Sequence, residues 1–75
     1  MKVTVEIANL TSSRIRLTNV EENITREQLD ALIEKKAPGS SSKKYRIGTR
    51  SMGNFTAGME LRDFGNQNTI YLEKL

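Results

Sequence analysis

The hydrophobic period of this chain changes twice, and that change limits its fold more than any other feature. Over residues 1–8, Met1, Val3, Val5 and Ile7 share one face, while Lys2, Thr4, Glu6 and Ala8 share the other. Alternation of this kind, rich in β-branched residues, predicts a half-buried strand. Asn9 to Ser13 is a polar break made of turn-forming residues. Alternation returns over residues 14–20, with Ile15 and Leu17 on one side and Arg14, Arg16 and Thr18 on the other. Two such runs across a short polar loop predict a β-hairpin, with a connection wider than a two-residue turn.

The period then becomes helical. Thr25 followed by Gln28 has the spacing of a capping box. Ile24 before the cap and Leu29 at the fourth helical position have the spacing of a hydrophobic staple. Leu29, Leu32 and Ile33 form an apolar stripe. Glu27 lies near the positive end of the helix, and Lys35 and Lys36 near the negative end. Pro38 and Gly39 stop it.

Ser40 to Ser42 read as a flexible loop. Lys44 to Arg50 alternates once more, with Tyr45 and Ile47 inward and Lys44, Arg46 and Arg50 outward. Gly48 marks a bulge or a close approach of two backbones. Met52 to Asn54 is turn-like, and Phe55 anchors a short edge strand. Leu61 and Phe64 are expected to be buried from one short helical turn, and Asn66 to Asn68 form a polar turn. The last strand places Ile70 and Leu72 inward, with Leu75 joining them after a twist, and Thr69, Tyr71 and Glu73 outward.

These elements predict an α+β two-layer domain: one sheet with one helix across it and its other face in water. The expected core is Val3, Val5, Ile15, Leu17, Leu29, Ile33, Tyr45, Ile47, Leu61, Ile70 and Leu72. A length of 75 residues fits one domain over 1–75, near the lower limit for folding without staples.

Composition narrows the chemistry. There is no cysteine and no histidine, so disulfides, thiolate metal sites and the usual general base are missing. Ser40 to Ser42 therefore have no histidine to activate them. Gly48, Gly53 and Gly58 are spaced as turn residues and not as a phosphate loop. Asp30 and Glu34 read as a solvated helix face, and Asp63 as a brace for the turn before the last strand. We expect no catalytic residues, no cofactor and no metal. No apolar run approaches the ~20 residues that span a bilayer, and polar residues interrupt the N-terminus too early for a signal peptide. A reducing cytoplasm and a monomeric protein are the default expectations.

The net charge is +3. The excess gathers in Lys35, Lys36, Lys43, Lys44, Arg46 and Arg50, a cluster that suits an acidic partner surface or a polyanion. An ordinary solvated surface explains it as well. Only Tyr71 among the aromatics is expected to be exposed, which counts against stacking on nucleic acid.

Three segments carry a family resemblance: Met1-Lys2-Val3-Thr4-Val5, Ile24-Thr25 leading into the helix, and Leu61-Arg62-Asp63-Phe64 before the last strand. With the order of elements they resemble the β-grasp fold of ubiquitin-like proteins over the whole chain. The last segment is similar to the Leu-x-Asp-aromatic signature of those domains. The resemblance implies one mixed sheet of four to five strands. It also marks departures. Covalent modifiers of this family end in Gly-Gly, whereas this sequence ends Glu73-Lys74-Leu75, so conjugation is not expected unless a tail has been trimmed. The central position of ubiquitin's apolar patch falls on Arg46, with Tyr71 and Glu73 on the last strand and Leu10 matching the exposed leucine of the first loop. Arg46 and Glu73 are placed to pair across strands. In length and ending the chain resembles the YukD-like bacterial proteins linked to type VII secretion; a ubiquitin-like domain excised from a larger eukaryotic protein fits equally.

The resemblance implies a non-covalent protein-interaction module using Arg14, Arg16, Arg46, Tyr71 and Glu73 on the open sheet face, with a partner protein bearing an acidic surface. The alternatives are an anion or nucleic-acid binder using the basic cluster, or a trimmed covalent modifier.

Overall fold

A computed structural model describes residues 2–10, 14–65 and 67–75. Met1, Thr11 to Ser13 and Asn66, which the expected first strand and two polar turns include, lie outside the described residues. The elements are β1 (Lys2–Ala8), β2 (Ile15–Glu21), α1 (Arg26–Lys36), a 3-10 turn (Ser42–Lys44), β3 (Ile47–Thr49), β4 (Gly53–Asn54), a second 3-10 turn (Leu61–Phe64) and β5 (Thr69–Lys74). The strands form one mixed five-stranded sheet in the order β2-β1-β5-β3-β4. β1 and β5 are parallel at its centre, and the other pairs are antiparallel. With one helix over the sheet, this is a two-layer α+β fold of the β-grasp type.

The hairpin contains a device that simple alternation misses. Val3 pairs with Val20 and Val5 with Leu17, so β2 carries one extra residue there. Asn19 absorbs it at φ 56°, a left-handed conformation that asparagine tolerates better than most residues. The bulge resets the phase, so Leu17 and Val20, three apart in sequence, both reach the core.

The helix begins as expected. The Thr25 hydroxyl accepts from the Gln28 amide at 3.3 Å, and the Gln28 side chain accepts from the Thr25 amide at 3.1 Å. At the other end the Ala37 amide donates to the Ile33 carbonyl at 2.8 Å. The buried stripe, however, is rotated from the expected one. Leu29 and Ile33 are fully buried, Asp30 is buried beside them, and Leu32 is exposed. With 3.6 residues per turn, Arg26, Leu29, Asp30 and Ile33 fall within an arc of about 100°, and Leu32 lies outside it. Asp30 is therefore not part of a solvated face.

The core contains the expected residues except Tyr45, which is half-buried and packs at its margin. It also takes in Ile7, Leu10, Val20, Ile24, Phe55 and Phe64. Leu10, expected to be exposed on the first loop, is buried. Leu75, expected to turn inward, is exposed. Phe55 and Phe64 meet edge to face, with ring centroids 5.5 Å apart. The turn carrying Phe64 is braced as expected: the Asp63 carboxylate accepts from the Glu60 amide at 2.8 Å.

The third strand is shorter than the alternation suggested. Lys44 ends a 3-10 turn, and ladder pairing starts at Ile47. Ser40, Ser41 and Ser42 are all buried, which a flexible loop would not be. The Ser41 hydroxyl caps the turn by accepting from the Lys43 amide at 3.2 Å. Gly53 and Asn54, expected as turn residues, form β4. Gly48 shows why a glycine stands there: a Cβ would overlap the Gly53 carbonyl and come within 2.7 Å of the Asn54 Cα.

Candidate functional site

Alternation along the strands leaves the sheet face opposite α1 lined by polar residues and one aromatic ring. Register brings them together. Glu6 sits between Arg16 on β2 and Tyr71 on β5, and Ala8 and Gly48 flank Glu73. In-register neighbours share a face and lie close enough to interact. Larger residues surround Ala8, which contributes only a methyl group to this face, and a groove of about 420 Å³ opens here. Glu6, Arg14, Arg50, Met52, Tyr71 and Glu73 are among the residues that line it.

Two ion pairs rim the groove. Arg50 Nε lies 2.8 Å from Glu73 Oε1, and Arg14 Nη1 lies 3.5 Å from Glu6 Oε1. Both arginines are largely exposed, so each pair contributes at most ~1 kcal/mol. Their effect is more on the shape and charge of the rim than on stability. Tyr71, 61% exposed, and Met52, 52% exposed, also line the groove. The surface has an apolar centre and a rim carrying both signs of charge.

The expected interaction residues divide. Arg14, Tyr71 and Glu73 line the groove, and Arg16 is held next to it by its pairing with Glu6. Arg46 lines a different hollow, with Lys43 and Lys44. The expected Arg46–Glu73 pair does not form, because Glu73 bonds Arg50 instead. Gly48 is the Cα partner of Glu73, so Arg50 lies two residues along the neighbouring strand, within diagonal reach. Glu6, Arg50 and Met52 were missed as groove residues. For Glu6 the signal was present, since it alternates outward on β1; Met52 reaches the groove from a turn, where no periodicity operates.

The basic cluster also divides. Lys35 and Lys36 are exposed in the last turn of α1, Lys43 and Lys44 sit on the 3-10 turn, and Arg50 belongs to the open-face groove.

A third constellation was not foreseen. Arg26, the first residue of α1, reaches under the 42–45 segment. Its guanidinium donates to Asp30 Oδ1 and Ser42 Oγ, both at 3.2 Å, to the Tyr45 carbonyl at 3.2 Å, and to the Ser42 and Phe55 carbonyls. Burial pushes the Asp30 carboxyl above its usual value, while the hydrogen bond and charge of Arg26 oppose that shift. Sequence spacing signals only the Arg26–Asp30 pair, because the other four of the five acceptors come from outside the helix. Its geometry is that of a structural clamp.

Among the described residues no group of three or more acidic side chains is placed to hold a metal ion. None of the described helices is long and apolar enough to cross a membrane. No protein-family model matches this chain, and no curated protein matches it.

Proposed function

We propose that this chain is a non-covalent protein-interaction module of ubiquitin-like type that docks a partner protein on the open face of its sheet. The observation that carries the reading is that exposed Tyr71 and Met52 line one groove with the Arg50–Glu73 and Arg14–Glu6 pairs. Tyrosine and arginine are, with tryptophan, enriched at interface hot spots, where a polar rim excludes water around an apolar anchor. A partner segment of matching character would place an apolar side chain against Tyr71 and Met52 and polar groups on the rim. Docking of this kind uses the sheet face alone and requires no reactive chain end.

Site-specific photo-crosslinking tests it. A photoreactive phenylalanine analogue at position 71 should yield a discrete protein adduct in the native cell. The same group at Ala31, exposed on the outer side of α1, should yield none. Absence of an adduct at 71, or the same adducts from both positions, would remove the reading.

A further inference from the structure

The second hollow, about 320 Å³, lies away from the open-face groove and is lined by Lys43, Lys44, Arg46, Asn54 and Thr56, with Arg26 against it. Its electrostatics differ from those of the open face. There the arginines lining the groove are matched by carboxylates. Among the described residues, Lys43, Lys44 and Arg46 have no carboxylate within ion-pair distance. The nearby Asp30 is buried and hydrogen-bonded to Arg26; it feels the charge of Lys43 but lies beyond ion-pair distance of it. Lys74 adds a further cation at the margin, its ammonium 4.6 Å from the centre of the Tyr45 ring.

The hollow is also held in shape. Arg26 bonds the carbonyls of Ser42 and Tyr45 on one side and of Phe55 on the other. One guanidinium therefore fixes both flanking segments relative to α1. Surface lysines on a loose loop lose conformational freedom when they capture a ligand; here the backbone that carries them is already ordered, which lowers that cost.

We propose that this hollow is a binding site for an acidic segment of a partner protein, whose aspartate or glutamate carboxylates take Lys43, Lys44 and Arg46. Asn54 and Thr56 supply neutral hydrogen-bonding groups beside those cations, as a peptide backbone requires. The surroundings disfavour other anions. Single-stranded nucleic acid gains much of its hold by stacking bases on free aromatic faces, and Tyr45 already lies under Lys74. Stable attachment to a membrane surface adds buried apolar side chains or a lipid chain to a basic patch. Among the described residues, the exposed large apolar ones, Leu32, Met52, Tyr71 and Leu75, do not line this hollow.

The test titrates the whole chain at ~0.15 M salt, where the Debye length is about 8 Å, with a fluorescent oligoglutamate peptide, and in parallel with oligothymidylate and with phosphatidylserine vesicles. Neutralising the hollow with Lys43→Gln, Lys44→Gln and Arg46→Gln should weaken peptide binding by about tenfold or more, as loss of complementary charges does. Removing the same charge elsewhere, with Lys35→Gln, Lys36→Gln and Arg62→Gln, should change it less than about twofold. In the unsubstituted protein, the peptide should shift the amide resonances of residues 43–46 and 54–56, so the result does not hinge on how a variant folds. Absence of peptide binding, equal loss in both triple variants, shifts confined to other residues, or tighter binding of oligothymidylate or vesicles would each overturn the proposal. Crosslinking at position 71 reports on the open-face groove, which shares no lining residue with this hollow, so the two sites stand or fall separately.

Discussion

Arg26 Nε lies 3.2 Å from Asp30 Oδ1, one helical turn away, with 14% and 4% of the two side chains exposed. The pair faces inward from α1, and the rest of the guanidinium satisfies Ser42, Tyr45 and Phe55. It ties the helix to the two segments that enclose the cationic hollow.

Arg26→Ala should therefore be among the most damaging substitutions in this chain. It leaves Asp30 charged and buried without its partner, and removes a donor from three carbonyls, of which Ser42 keeps the Tyr45 amide. Breaking a buried pair in this way costs about 3–5 kcal/mol, a large part of what a domain this small holds. Urea unfolding would measure it. A loss below about 1 kcal/mol would show that the pair is hydrated and dispensable.

Acidification should affect Asp30 and Glu21 in opposite directions. Burial raises the Asp30 carboxyl above 3.8, so the folded protein holds that proton at a pH where the unfolded chain has released it. The Asp30 charge therefore costs stability at neutral pH, and the cost is relieved as pH falls through the folded value. Glu21 is held below 4.5 by the hydrogen bond and charge of Lys2, 3.0 Å away. Its contribution is present above 4.5 and disappears as pH falls through its folded value. Urea midpoints compared between pH 7 and pH 3 should show the native chain gaining on Asp30→Asn and losing ground to Glu21→Gln. The opposite ordering for Asp30→Asn would mean that Arg26 outweighs burial.

Gly48→Ala should destabilise the β3–β4 end of the sheet by about 1–3 kcal/mol, the usual cost of overpacking. The added methyl would meet backbone of Gly53 and Asn54, which cannot rotate away as a side chain can. Amide exchange would show early loss of protection at Phe55, whose amide donates to the Ile47 carbonyl at 2.7 Å.

Phe55→Ala and Tyr71→Ala should separate core from surface. Phe55 is fully buried against Phe64, and its truncation should cost about 3–5 kcal/mol. Tyr71 is 61% exposed, and its truncation should change stability by less than about 1 kcal/mol while removing the apolar centre of the open face. Thermal melts of the two variants would check this. A large loss for Tyr71→Ala would mark it as a packing residue and weaken the docking reading.

Local chemistry is written in the order of residues, and there the sequence was decisive. The change of period located the hairpin and the helix, Thr25 and Gln28 marked the start of the helix, and Asp63 marked the brace before β5. Each rests on contacts between residues a few positions apart, whose geometry backbone periodicity dictates. Other outcomes needed partners distant in the chain. Leu10 and Leu32 are both apolar, and only the placement of the hairpin and the rotation of α1 decided that one is buried and the other exposed. Arg46 alternates outward like Arg50, yet register gave Glu73 to Arg50 and left Arg46 beside Lys43 and Lys44. Arg26 reads in sequence as an ordinary surface residue of a first helical turn; the fold closes around it because three carbonyls from two other segments converge where its guanidinium reaches. Tertiary structure decided these cases for one physical reason: burial and charge pairing depend on which distant segments meet, and local period carries no record of that.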